Sequence, residues 1–202
     1  MATKSALSAA NSLCDNACSD TAGACALAGP PPLQGTAISR ADTTVIHLNG
    51  PINSGKSTVG AALAALLPGA RFIEGDDHGA PSHLPCTEQW ALALDRITDL
   101  IASATEPCLV IAYPLEQDSY ERILAACARR SARLRVVTLA PTLEAARTDR
   151  GGRVLTDWER QRIAQMYLEG YASRPFSDLL LDTSGTDAQS SARQIAQWLD
   201  AG

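Results

Sequence analysis

The run Gly50-Pro51-Ile52-Asn53-Ser54-Gly55-Lys56-Ser57 carries two glycines, a lysine and a hydroxyl at the spacing GxxxxGK[ST]. That pattern suits a loop wrapped around phosphate oxygens. Gly50 and Gly55 permit backbone angles that a Cβ would forbid, so successive amides, those of Asn53 and Ser54 among them, can point inward at a polyphosphate. Lys56 would set an ammonium on the β- and γ-phosphates of ATP, and the Ser57 hydroxyl would bind Mg²⁺. Thr58 completes the expected nucleotide-binding set, with packing or capping in the first helical turn as its other reading.

A second group of chemistry-bearing residues is Phe72-Ile73-Glu74-Gly75-Asp76-Asp77-His78. Transfer of a phosphoryl group to an alcohol needs a carboxylate that orients the hydroxyl and takes its proton, and others that hold Mg²⁺. Strand alternation would put Glu74 and Asp76 on one face, with Gly75 leaving room for substrate. Asp77 would cap the next segment, and His78 is as well explained as a surface residue. A solvated turn is the alternative for the whole group. A third group, Arg147-Thr148-Asp149-Arg150-Gly151-Gly152-Arg153, sets arginines around a Gly-Gly pair and suits a lid over a phosphoryl group. Arg150 and Arg153 rank above Arg147, which can belong to the preceding helix. Surface arginines on a polar turn are the alternative.

These groups need a scaffold that brings them together. Val45-Ile46-His47-Leu48-Asn49 reads as a mostly apolar strand, and Ser57 to Leu67 as an alanine-rich helix ended by Pro68-Gly69. Further strands are expected at Ala70 to Ile73, Cys108 to Ala112, Arg135 to Leu139 and Leu179 to Leu181. Helices are expected at Thr87 to Ala104, Gln117 to Ala128, Thr142 to Thr148, Thr156 to Tyr171 and Ala188 to Ala201. Strand and helix in alternation predict a three-layer α/β/α domain on a five-stranded parallel sheet, the P-loop nucleoside-triphosphate hydrolase fold. In such a sheet ligands bind beyond the carboxyl ends of the strands, which sets the acids beside the phosphate loop. Tyr113, at the end of the third strand, either lines the acceptor site or packs on a helix. Trp90, Trp158 and Trp198 fall on predicted helices and read as packing residues.

Composition narrows the field. The chain has 202 residues, 46% of them hydrophobic, enough for one core; residues 41–202 form the expected domain. Residues 1–40, rich in Ala, Ser, Gly, Cys and Pro, form a low-complexity extension expected to be disordered. The net charge of −5 argues against a nucleic-acid surface. No apolar run approaches a membrane span and Met1 to Leu13 lack a compact apolar stretch, so a cytoplasmic protein, monomeric or homodimeric, is expected. Of six cysteines, Cys14, Cys18 and Cys25 lie in the extension and Cys86, Cys108 and Cys127 in the domain, at spacings that match no metal-ligand pattern. Free thiols are expected. Only Lys4 and Lys56 are lysines, so the domain keeps its single lysine in the phosphate loop.

The motif Gly-x4-Gly-Lys-Ser-Thr followed by Arg71-Phe72-Ile73-Glu74-Gly75-Asp76-Asp77-His78 resembles the small-metabolite kinases of the nucleoside-monophosphate-kinase-like P-loop superfamily, especially the gluconate kinase and shikimate kinase families. Chloramphenicol phosphotransferase-like enzymes are similar in plan. The resemblance runs loosely from about Thr44 to Leu199. It implies that Glu74 lies near Mg²⁺, that Asp76 lies near the acceptor hydroxyl and that a catalytic arginine falls among Arg147, Arg150 and Arg153. It also implies that the loop Leu180 to Gly185 meets adenine through its backbone. Shikimate kinases carry a glycine-rich triplet after the third strand, where this chain has Ala112-Tyr113-Pro114. The expected activity is ATP-dependent transfer of the γ-phosphoryl group to a hydroxyl of a small molecule, with Lys56, Asp76, Arg150 and Arg153 as the catalytic set. The alternatives are a regulatory P-loop ATPase module and an antibiotic phosphotransferase. A third strand that ends Val110-Ile111-Ala112-Tyr113 without an acid weighs against the regulatory module, and only nine aromatics in the chain weigh against a base-stacking acceptor.

Overall fold

Runs of apolar residues too short for helices, each closed by Gly, Pro or a polar cluster, become the strands of a parallel sheet in the computed structural model, which describes residues 43–76, 79–81, 83–150 and 152–201. The chain runs β1 (Thr43–Asn49), α1 (Lys56–Leu66), β2 (Ala70–Glu74), α2 (Cys86–Ser103), β3 (Cys108–Ala112), α3 (Gln117–Arg129), β4 (Ala132–Leu139), α4 (Leu143–Ala146), α5 (Asp157–Leu168), β5 (Leu179–Leu181) and α6 (Ala188–Ala201). The sheet has five strands in the order β2-β3-β1-β4-β5, every neighbouring pair parallel. The predicted three-layer plan is therefore the observed one. The low-complexity extension, with Cys14, Cys18 and Cys25, lies outside the described residues, as do Asp77, His78 and Gly151.

Strand order explains which helices share a face. From β1 the chain moves across β3 to reach β2, and it then reverses direction through β3 to β4 and β5. Crossovers in opposite directions with the same right-handed sense must use opposite faces. On one face α1 and α6 pack Val59, Leu63 and Ile195 against Ile46, Leu48, Val110 and Val137. On the other, α2 and α3 pack Leu94, Ile97, Ile101 and Ile123 against Val45, Leu109, Ile111 and Val136. β1 and β3, covered on both faces, are buried at successive positions, from Val45 to Asn49 and from Cys108 to Ala112. β5 lies at the edge, and Leu180 on it is exposed.

A third, smaller cluster of Ala146, Leu155 and Ile163 joins α4 to α5, with Ile52 from the loop after β1 packed against it. Thr156 opens α5 with a capping box: its side chain accepts from the Glu159 amide while Glu159 reaches back to the Thr156 amide. Three local expectations need correction. β4 begins at Ala132 because its first residues pair with Thr43 and Thr44 of β1, a register that periodicity does not reveal. α4 spans only four residues and α5 ends at Leu168, where Gly170 takes a φ of 78° and turns the chain.

Candidate active site

The loop between β1 and α1 has the backbone its glycines allow. Gly50 has a φ of 140°, and a Cβ there would lie 2.4 Å from the Leu139 carbonyl and 2.8 Å from Ser54 Oγ. Gly55 takes a φ of 95° at the N-cap of α1, so the first-turn amides open toward the loop's concave side. Lys56 Nζ donates to the carbonyls of Gly50 at 3.1 Å and Pro51 at 2.8 Å. Ser57 and Thr58 are exposed on that first turn, with no side-chain cap; Thr58 neither packs nor caps, contrary to one reading of it. Ser54 is fully buried. Asn53 adopts a φ of 63°, a left-handed geometry that asparagine tolerates.

Three expected groups converge electrostatically on Lys56. Burial brings its ammonium down to about 8; the carboxylates of Asp76 and Glu74 oppose that shift, while the guanidinium of Arg153 adds to it. The acids sit as follows. Glu74 ends β2 opposite Ala112 of β3, and the Gly75 amide extends the ladder to the Ala112 carbonyl at 3.0 Å. Asp76 lies beyond the strand in an exposed turn, so turn geometry rather than strand alternation places it. Arg96 Nη1 approaches the Glu74 carbonyl at 3.5 Å.

Gly75 has a different purpose from the one expected. The space a side chain would take is filled by Tyr113, whose Cδ2 would stand 2.5 Å from a Cβ. Tyr113 is buried in the core cluster beneath α2 and α3. Burial pushes its phenol up to about 12, and the nearby carboxylates of Asp76 and Glu116 act in the same direction. Tyr113 thus packs and also borders the acid motif.

Two buried polar residues on β1 escaped the sequence reading. His47 Nε2 lies 2.8 Å from the Tyr113 carbonyl, and burial takes the imidazole down to about 4. The ring is neutral near pH 7, and since a carbonyl only accepts, the proton sits on Nε2. Asn49 donates to Thr138 Oγ1 at 2.9 Å and to the Tyr171 carbonyl at 3.2 Å, and accepts from the Leu115 amide at 2.9 Å. Together His47 and Asn49 fix the loop after β3. Their presence inside an otherwise apolar strand was the available signal, since a buried polar side chain needs partners. Arg174, also unforeseen, donates from Nε to the Leu115 carbonyl at 3.1 Å and stacks 4.2 Å over the Tyr171 ring. Tyr171 in turn donates to Glu116 at 2.6 Å.

The arginine segment divides by role. Arg147 is exposed at the end of α4. Arg150 donates from Nη2 to the Thr183 carbonyl at 2.6 Å, and its buried Nη1 has no partner among the described residues. Arg153 pairs with Glu159 at 2.5 Å, its side chain still half exposed. Asp149 braces the segment, accepting from the Leu155 amide and from Arg160 Nη2, each at 2.9 Å. Thr183, in the loop after β5, is 2% exposed and donates to the Ser54 carbonyl at 3.0 Å. The loop after β5 therefore touches both the phosphate loop and Arg150.

The tryptophan expectation holds only for Trp198, which packs on the α1–α6 cluster with the Arg135 guanidinium 5.3 Å from its ring. Trp90 and Trp158 are 53% and 66% exposed: helical spacing put them on helices but could not tell which side of each helix finds a neighbour. In the domain Cys108 and Cys127 are buried free thiols and Cys86 is an exposed one.

Solved structures share this architecture. A gluconokinase from Sinorhizobium meliloti 1021 superposes with a TM-score of 0.58 at 21% identity, over 80% of this chain and 98% of that one. The fold is the P-loop kinase fold. A shikimate kinase from Acinetobacter baumannii, solved in complex with shikimate, gives a TM-score of 0.57 at 19% identity, over 80% of this chain and 95% of that one. The Deinococcus radiodurans tunicamycin resistance protein gives 0.53 at 22%, over 78% and 95%. No family model matches the sequence, and no curated protein does. In a P-loop kinase fold the carboxyl ends of the strands form the ligand crevice, and that is the end at which Gly50–Ser57, Glu74–Asp76 and the loop after β3 meet. Among the described residues, no helix is long and apolar enough to cross a membrane.

Proposed function

We propose that this protein is an ATP- and Mg²⁺-dependent phosphotransferase whose acceptor is a hydroxyl of a small molecule. The observation that carries the reading is the convergence of Asp76, Glu74 and Arg153 on the Lys56 ammonium. A phosphate-loop lysine in the field of two carboxylates and of a half-exposed arginine that pairs with Glu159 offers the parts that phosphoryl transfer to an alcohol requires.

The residues present fit the nucleotide. The left-handed glycines open a loop whose concave side already holds a cation, and the first-turn hydroxyl of Ser57 is exposed. Among the described residues no cluster of three or more His, Cys, Asp and Glu could hold a metal. A cation that keeps water and phosphate oxygens as ligands, with Ser57 and Glu74 contributing, suits this set better than a protein cage. Bound ATP with its Mg²⁺ supplies the γ-phosphoryl group and a first neutralising charge. The amides of Asn53, Gly55, Lys56 and Ser57 and the Lys56 ammonium would hold the phosphate oxygens. Asp76 orients the acceptor hydroxyl and takes its proton as the oxygen bonds to the γ-phosphorus. As the bond to the bridging oxygen breaks, negative charge grows on the β-phosphate, where Lys56 stands, and on the transferring group, where Arg153 arrives after leaving Glu159. Arg150, anchored on Thr183, borders the nucleotide from the side of the loop after β5.

The test is a screen of sugar acids, polyols, shikimate and antibiotic alcohols with ATP, following ADP release. One acceptor class should stimulate release, and Lys56→Ala should abolish it. Asp76→Asn should lower transfer by roughly 100-fold or more while nucleotide still binds. Full transfer by Asp76→Asn would remove this residue as the proton acceptor. ADP release indifferent to every acceptor would favour the regulatory ATPase.

A further inference from the structure

The turn of the phosphate loop is docked into the base of the arginine segment. Asn53 Nδ2 donates to the carbonyls of Ala146 and Thr148, both at 2.9 Å, across more than ninety residues of chain. The neighbouring Ile52 packs into the cluster of Ala146, Leu155 and Ile163 that joins α4 to α5. α4 is a single turn, and its C-terminal carbonyls have few intrahelical donors. The Asn53 side-chain amide caps the last of them, that of Ala146, together with the Thr148 carbonyl just beyond, from a residue in the left-handed region. A second tie runs through Thr183, which donates to the Ser54 carbonyl at 3.0 Å and accepts from Arg150 at 2.6 Å. Residues 52–54 thus hold the arginine segment at its entry and, through Thr183, at Arg150.

We propose that Asn53 is a positioning residue that couples the phosphate loop to the arginine segment: its side-chain amide transmits the conformation of a filled loop to α4 and so sets where Arg150 and Arg153 stand. This rests on the reading of Gly50–Ser57 as a nucleotide loop. On that reading the backbone of Asn53 would meet phosphate while its side chain is held on the 146–148 carbonyls, so one residue senses occupancy on one side and acts on the other. No other residue of the loop has a side-chain hydrogen bond to the 146–148 carbonyls among the described residues.

Hydrogen exchange on the full chain tests the coupling, with AMPPNP and Mg²⁺ at concentrations saturating for each variant. In the unsubstituted protein nucleotide should slow exchange of the amides of 147–150 and 152–155 by about tenfold. Asn53→Gly keeps the left-handed backbone and loses the amide; Asn53→Asp keeps the shape and replaces donors with acceptors. Both should reduce that slowing to less than about threefold, while the slowing at Gly55–Thr58 persists. The readout is the difference between filled and empty protein, which a merely structural role would leave unchanged. Equal slowing of 147–155 in all three proteins overturns the coupling alone. Failure of nucleotide to bind the unsubstituted protein overturns the nucleotide-loop reading and the coupling with it. If Asn53→Asp does not fold, the strain-free Asn53→Gly carries the comparison.

Discussion

Lys56 is the residue on which the donor side, the acid motif and the arginine segment all act, and its proton affinity is a direct handle on that arrangement. Burial and Arg153 lower its value to about 8, with Asp76 and Glu74 resisting. A polyphosphate bound against it would favour the charged form and raise the value again. Near pH 8 the empty site is then partly deprotonated and the filled site is charged, so nucleotide binding takes up protons. Calorimetry of ATP binding at pH 8 in two buffers of different ionisation enthalpy should show an uptake approaching half a proton, ~0.5 per site, that fades by pH 6.5. Lys56→Arg, charged throughout, should lose the uptake. Binding heats that do not depend on the buffer at pH 8 would place Lys56 away from the phosphates. The lysine itself was readable from the motif. Its tuning was not, because the burial that lowers it and the carboxylates and arginine that act on it come from segments distant in the chain.

At the scale of elements, the ends of β2 and β3 form one unit. The Tyr113 ring occupies the side-chain space of Gly75, and the His47 imidazole holds the Tyr113 carbonyl from β1. Gly75→Ala would bring a methyl within 2.5 Å of Tyr113 Cδ2 and 2.8 Å of the Ala112 carbonyl, and the backbone contact cannot yield cheaply. The substitution should cost about 2 kcal/mol in urea unfolding. In a double-mutant cycle with Tyr113→Ala the two effects should couple rather than add. Independent effects would mean that the ring does not pack as described. Element positions themselves were legible: each strand of the sheet was expected within a few residues of where it lies, because apolar runs end at Gly, Pro or polar clusters. The early start of β4 was not legible, since Ala132 to Leu134 do not form an apolar run and gain their strand character from pairing with Thr43 to Val45.

For the molecule as a whole, the sheet begins at Thr43 and the core clusters of the described residues begin at Val45. A chain comprising residues 41–202 should therefore fold cooperatively and bind ATP with the affinity of the full chain. Thermal unfolding followed by circular dichroism, together with nucleotide titration, checks both parts. An insoluble product or a lost transition would make the N-terminal extension part of the fold. The reversal of crossover direction at β1 is what makes one end of this sheet a crevice, and it sets the phosphate loop between the acid motif on the β3 side and the arginine segment on the β4 side.

By itself the sequence determined the phosphate loop, the alternation of strand and helix, and the two acids and the arginine group, because each is written in neighbouring residues: glycines where φ must be positive, apolar runs where both faces are covered, charges in clusters. Only the tertiary structure decided what those residues touch. It filled the space at Gly75 with Tyr113, buried His47 and Asn49 as braces of the loop after β3, split the arginines between Thr183 and Glu159, and hydrogen-bonded the Asn53 side-chain amide to the end of α4. Those are contacts between residues far apart in the chain, and they follow from strand order and packing, which local pattern does not encode.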